Sequence, residues 1–156
     1  MKRLLYFLSC FLLFTLVLTS CSTTSQNKKD EEQSSNNYAV FLRVLDGDTF
    51  VANYRNKIQR IRLADIDCFE IVENNRLKTQ AKVRNISKSQ ALKKGKESEK
   101  KLAEILMRNN VLYILPLRHD NYGRLIAYVY AGDLNVNQYM HYDGGCYAFP
   151  NKSLHK

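Results

Sequence analysis

Asp46, Asp48, Asp67 and Glu70 fall close together in the sequence, with Arg62 among them, in a chain whose formal net charge is +9 at pH 7. Gathering like charges is costly unless a cation or a proton neutralises them. Carboxylate oxygens are what a hard cation such as calcium takes, typically about 6 to 8 oxygens with carbonyls and waters completing the shell. Arg62 stands between apolar Ile61 and Leu63, and Arg124 follows Tyr122-Gly123. A guanidinium grips phosphate through two parallel hydrogen bonds and stays charged at any relevant pH. A cation on the acids, facing two such arginines, would clamp a phosphodiester. Each group also has a plainer reading. Asp46-Gly47-Asp48-Thr49 can be a turn, Asp67-Cys68-Phe69-Glu70 a solvated strand end, and either arginine a surface ion pair.

The elements that must position these groups follow from periodicity. Val40, Leu42 and Val44 alternate with Ala39, Phe41 and Arg43, which predicts a strand over 38–45. Further strands are expected over 49–54 and 58–66, joined through Arg55-Asn56-Lys57. From Arg76 to Lys101 there are ten basic residues against two acids, Glu97 and Glu99. This cationic ridge offers Lys93, Lys94 and Lys96 as contacts for a polyanion. Leu102, Ile105 and Leu106 then recur at helical spacing. That helix runs from about Ser98, or starts near Ser87 or Ser89 and breaks at Gly95, and it ends at Asn109-Asn110. Strands over 111–117 and 125–130 flank a polar connection, and Val136, Tyr139 and Met140 mark a short helix before Gly144-Gly145. Five strands, with one helix after the third and one after the fifth, fit an α+β, mainly β fold: an OB-fold five-stranded barrel with two helices.

With 156 residues, 45% of them hydrophobic, the chain supports one core and excludes an intrinsically disordered protein. Residues 1–20 have the order of a secretory signal, with Lys2 and Arg3 ahead of an apolar run too short to span a bilayer. Leu18-Thr19-Ser20-Cys21 resembles the lipobox of bacterial lipoproteins, which implies lipidation at Cys21 and a membrane-anchored, extracytoplasmic place in the cell envelope, periplasmic or surface-facing. Residues 21–37 then form a polar linker, and 38–156 the folded domain. Setting Lys2 and Arg3 aside leaves 22 of the 24 basic residues against 15 acids, still a balance that suits a polyanionic partner. Cys10 leaves with the signal. Cys68 and Cys146 remain, as a disulfide or as two free thiols.

Together, D-G-D-T, R-L-x-x-I-D-x-x-E and D-N-Y-G-R-x-I-A-Y-V-Y resemble the three motifs of the thermonuclease family, over roughly residues 38–148. The resemblance implies an OB-fold and calcium-dependent hydrolysis of DNA and RNA phosphodiesters to 5′-hydroxyl and 3′-phosphate ends. It implies calcium on the carboxylates of Asp48 and Asp67 and on the carbonyl of Cys68, with Asp46 supporting the site. It gives Glu70 the activation of water, Arg62 and Arg124 the phosphate, and Tyr122 a place near it. It also brings Cys68 and Cys146 near one another. Asn121 stands where the family has a lysine, and Asp65 where it has an apolar residue or glycine. The type member's base-stacking tyrosines have no certain counterpart; Tyr147 and Phe149 either stack bases or pack.

The expectation is a monomeric, lipid-anchored endonuclease with Ca2+ as cofactor and DNA, RNA or both as partner. The competing expectations are a non-catalytic OB-fold nucleic-acid-binding envelope lipoprotein and an envelope scaffold. A binding module has no chemical need for a carboxylate at Glu70.

Overall fold

The computed structural model describes residues 37–149. The signal at 1–20, lipidation at Cys21 and all of the linker but Asn37 lie outside those residues. Among the described residues no helix is long and apolar enough to cross a membrane.

Eight strands and three helices follow in the order β1 (Tyr38–Asp46), β2 (Thr49–Tyr54), β3 (Lys57–Leu63), β4 (Ile66–Asp67), α1 (Asn75–Val83), α2 (Lys88–Arg108), β5 (Val111–His119), β6 (Leu125–Ala131), β7 (Leu134–Asn135), α3 (Val136–Tyr142) and β8 (Tyr147–Ala148). The main sheet runs β3-β2-β1-β5-β6-β7, and a parallel pairing of β3 with β6 closes its first five strands into a barrel. Closure leaves those strands without a free edge. β4 and β8 form a separate two-stranded ribbon. This is the OB-fold arrangement, mostly β.

Three details depart from the sequence reading. The third strand does not run on to Ile66. It stops at Leu63, because Asp65 takes a left-handed φ of 60° that starts a new, short strand; Asp tolerates this conformation better than most residues. A helix not expected from periodicity, α1, occupies the stretch after Glu70 and brings the helices among the described residues to three. It is capped by Asn74, whose side chain accepts from the Leu77 N–H, and it is anchored by fully buried Leu77. Burial of such a side chain contributes about 1.5–3 kcal/mol. Finally, α2 runs unbroken through Gly95 from a reciprocal capping box between Ser87 and Gln90.

Gly95 serves close approach rather than interruption. A side-chain carbon there would stand 2.4 Å from the Glu70 carbonyl oxygen and 2.7 Å from that of Phe69. The loop carrying Glu70 therefore lies directly on α2. The barrel core is built from Phe50, Ile61, Leu63, Leu102, Leu106, Leu112, Ile114, Val129 and Met140 among others. Phe69, Leu77, Ala81 and Ala91 form a smaller core that fixes α1 to α2.

Candidate metal and phosphate site

The register of the barrel explains why the acids and Arg62 meet. Thr49 pairs with Arg62 across β2 and β3, so Asp48 is delivered to the mouth of the strand that holds Arg62. β4 then returns Asp67 to the same place. Arg62 is 8% exposed, and its guanidinium spans both acids: Nη1 donates to Asp48 Oδ1, and Nη2 donates to Asp67 Oδ1 at 2.8 Å and to the Ile66 carbonyl at 3.1 Å. Burial works against the Arg62 charge, but Asp48 and Asp67 outweigh it and hold the pKa above the usual arginine value. Asp48 also accepts from Thr49 Oγ1 at 2.8 Å and from the Cys68 N–H at 3.0 Å. Asp46 accepts the Asp48 N–H at 3.0 Å. Burial first, and the Asp48 charge second, push its carboxyl up to about 6.

Helix α1 supplies the other wall, through residues that the sequence reading did not assign. Gln80 is 7% exposed; its Nε2 donates to the Cys68 carbonyl at 2.9 Å and to Asp67 Oδ2 at 3.2 Å, and its Oε1 accepts the Glu70 N–H at 3.0 Å. Arg76 reaches Asp67 Oδ1 through Nη2 and Glu70 Oε1 through Nε at 2.9 Å. Asn74 Nδ2 donates to Glu70 Oε2 at 2.9 Å. Arg76 and Gln80 are four residues apart and so share one helix face; that spacing behind a capping Asn was the available signal.

Tyr147 resolves one alternative. Asp67 lies directly opposite it in the β4–β8 ribbon, and the Tyr147 hydroxyl donates to Asp67 Oδ2 at 2.6 Å. Its ring packs edge-on against Phe69 and under the Arg84 guanidinium. Burial, then the bond to Asp67, push the hydroxyl pKa above its usual value. Tyr147 is thus built into the site's wall, half-buried between Phe69 and Arg84, whereas Phe149 is 52% exposed.

Cys68 and Cys146 are joined by a disulfide with a sequence separation of 78. Gly47, in the turn between Asp46 and Asp48, presses on that bridge: a side-chain carbon there would stand 2.8 Å from Cys68 Cβ and 2.7 Å from Ser98 Cβ.

Arg124 stands immediately ahead of β6, two residues before Ile126, which pairs with Arg62 in the parallel β3–β6 ladder. Asp120 holds it through its carboxylate, which accepts the Arg124 N–H at 2.9 Å and Nε at 2.8 Å. Tyr122 is exposed, with its ring beneath the Arg124 guanidinium at 5.5 Å. The lysines of the cationic ridge are not gathered into this site. Lys93 and Lys96 line a shallow groove on the solvent side of α2 with Lys100, and Lys93 pairs with Glu97 at 3.9 Å. Lys94 is exposed outside that groove.

Among the described residues no three His, Cys, Asp or Glu side chains converge as a metal cage. The donors available to a cation are the carboxylates of Asp48 and Asp67 and the carbonyl of Cys68. All are oxygens, as a hard cation requires, with water left to complete the shell. The charges are compatible: Asp48, Asp67 and Glu70 pair with Arg62 and Arg76, three formal negative charges against two positive, and Asp46 adjoins Asp48. The donor set fits calcium.

A closed five-stranded barrel with acids and arginines at one end defines an OB-fold of the nuclease or nucleic-acid-binding class. The family model of staphylococcal nuclease homologues matches residues 60–153, and the chain belongs to that family. The matched span contains Arg62, Asp67, Glu70, Tyr122 and Arg124, while Asp46 and Asp48 precede it. No curated protein matches the chain.

Proposed function

We propose that the protein is a calcium-dependent nuclease that hydrolyses phosphodiester bonds of DNA, and of RNA, to 5′-hydroxyl and 3′-phosphate ends, working outside the cytoplasm from a lipid anchor at Cys21. The family is made of nucleases, and these are typically calcium-dependent. The observation that carries the reading is the single bonded network of Asp48, Arg62, Asp67, Arg76 and Glu70, in which metal-ligating oxygens, a phosphate-gripping guanidinium and a carboxylate base adjoin.

Each residue has a role that follows from its environment. Asp48, Asp67 and the Cys68 carbonyl would hold the cation, which supplies charge to polarise a phosphoryl oxygen. Arg62 and Arg124 bind the phosphate and offset the charge that grows on its equatorial oxygens as phosphorus becomes five-coordinate. Glu70 accepts the proton of the attacking water. It is suited to this because its side chain is 27% exposed, open to solvent on one side and oriented by Arg76 and Asn74 on the other. Asp46 fixes the turn that presents Asp48. The exposed lysines of α2 add sequence-independent attraction for the phosphate backbone, which weakens as salt rises.

The test is digestion of plasmid DNA by the protein in calcium and in EDTA, followed by end analysis. Cleavage in calcium alone, with 5′ ends that a polynucleotide kinase labels without prior dephosphorylation, is the expected result. DNA that is retarded on a gel yet stays intact in calcium would assign the protein to the non-catalytic binding class.

A further inference from the structure

Asp67 is already crowded with donors. Arg62 Nη2 and Arg76 Nη2 share Oδ1, while the Tyr147 hydroxyl and Gln80 Nε2 share Oδ2. A carboxylate offers about four lone-pair positions. Gln80 Nε2, whose two hydrogens also face the Cys68 carbonyl at 2.9 Å and the Tyr147 oxygen at 2.8 Å, makes the weakest of these contacts, but Oδ1, taken by two guanidinium donors, opens to a cation only if one of them leaves.

Three of the four are pinned. Arg62 is buried and also tied to Asp48 and to the Ile66 carbonyl. Gln80 is buried and also serves the Cys68 carbonyl and the Glu70 N–H. Tyr147 is locked by Phe69 and Arg84. Arg76 differs: its side chain is 48% exposed, it rises from the first turn of α1 at the rim of the site, and its second bond is to Glu70 rather than to the barrel. Its departure uncovers Asp67 without leaving a buried donor unsatisfied.

We propose that Arg76 is a positioning residue that holds the place of the cation on Asp67, is displaced when the cation binds, and then presents its freed Nη groups to the substrate phosphodiester while Nε keeps Glu70 oriented. This rests on the reading of Asp67 as a metal ligand. The arrangement couples the two ligands: cation binding converts Arg76 from a competitor for Asp67 into a contact for phosphate.

Calcium binding to the full protein, measured by titration calorimetry without substrate, tests the first half, with wild type, Arg76→Gln and Arg76→Lys compared. Removing a positive charge in contact with the ligand oxygen should tighten calcium about three- to tenfold in Arg76→Gln. Arg76→Lys, which cannot bridge both carboxylates, should show a smaller gain and keeps the test available if the first variant folds poorly. The second half is read on a Glu70→Gln background that holds substrate uncut. There, calcium should raise the affinity for a short DNA strand about tenfold less when Arg76 is also replaced by Gln. Calcium binding that is unchanged or weaker in Arg76→Gln overturns the placeholder role while leaving the metal reading standing. Absence of calcium binding in every form, wild type included, overturns the metal reading and the placeholder with it.

Discussion

The backbone carbonyl of Glu70 rests on the Cα of Gly95, at a separation that leaves no room for a methyl group. The loop that carries Glu70 is thereby seated on the longest helix among the described residues, 21 residues capped at its start. Gly95→Ala must push the loop and the helix apart. Thermal unfolding should show a loss of about 1–3 kcal/mol, as overpacking a tight contact does. Cleavage should fall further, by about tenfold or more, because the base moves relative to the phosphate.

Gln80 joins the backbone of Cys68 and Glu70 to α1. Gln80→Ala would strip the partners from the Cys68 carbonyl and the Glu70 N–H together. A buried group left without a partner costs about 1–3 kcal/mol, so urea unfolding should report a loss in that range. Calcium affinity should also weaken, because Asp67 and the Cys68 carbonyl are no longer held in register. An unchanged affinity would mean that the barrel alone sets the ligand geometry.

The disulfide ties β4, which carries Asp67, to the segment ahead of β8, which carries Tyr147. By chain entropy a bridge of this separation contributes about 4–5 kcal/mol. The double variant Cys68→Ser, Cys146→Ser should therefore unfold at much lower urea. It should retain calcium binding at low temperature, since residue 68 offers the cation only its backbone carbonyl.

Asp120 makes the hold on Arg124 depend on pH. Burial raises its pKa, but backbone and side-chain bonds from Arg124, and the Tyr122 N–H, more than reverse this, and the folded value lies below the usual carboxylate value. A depressed carboxylate contributes stability above its unfolded pKa, about 3.9, and loses it as pH falls through the folded value. Asp120→Asn should therefore lower the melting temperature at neutral pH and converge on wild type as the pH drops below about 4. A constant difference across that range would count against the linkage.

Much of this was legible in the sequence, for physical reasons that can be named. Short apolar runs and turn residues located β2, β5 and β6, and the spacing of the acids pointed to Asp46, Asp48, Asp67 and Glu70, which lie together with Arg62. Helix α1 was not legible, since Leu77 and Ala81 are its only buried apolar residues and its remaining face is basic, so no apolar stripe announces it. Arg76 and Gln80 were hidden with it. Gly95 looked like a break because low helix propensity is visible in sequence and a neighbouring carbonyl is not. In β1, shifts of register between Phe41 and Arg43 and between Val44 and Asp46 spoil the simple alternation and leave Val40 and Leu42 about half exposed. Exclusion of other partners could name Cys68 and Cys146 as a pair, but only the approach of β4 to β8 brings them together.

The central proposal is that Glu70 and Arg124 act on one phosphodiester. Its most direct measurement is the initial rate of DNA cleavage in calcium by wild type, Glu70→Gln and Arg124→Ala, with DNA binding measured in parallel. The account predicts that Glu70→Gln binds DNA as wild type does yet cuts it at least about 100-fold more slowly, and that Arg124→Ala loses rate by a similar factor. Cleavage by Glu70→Gln at the wild-type rate would contradict it.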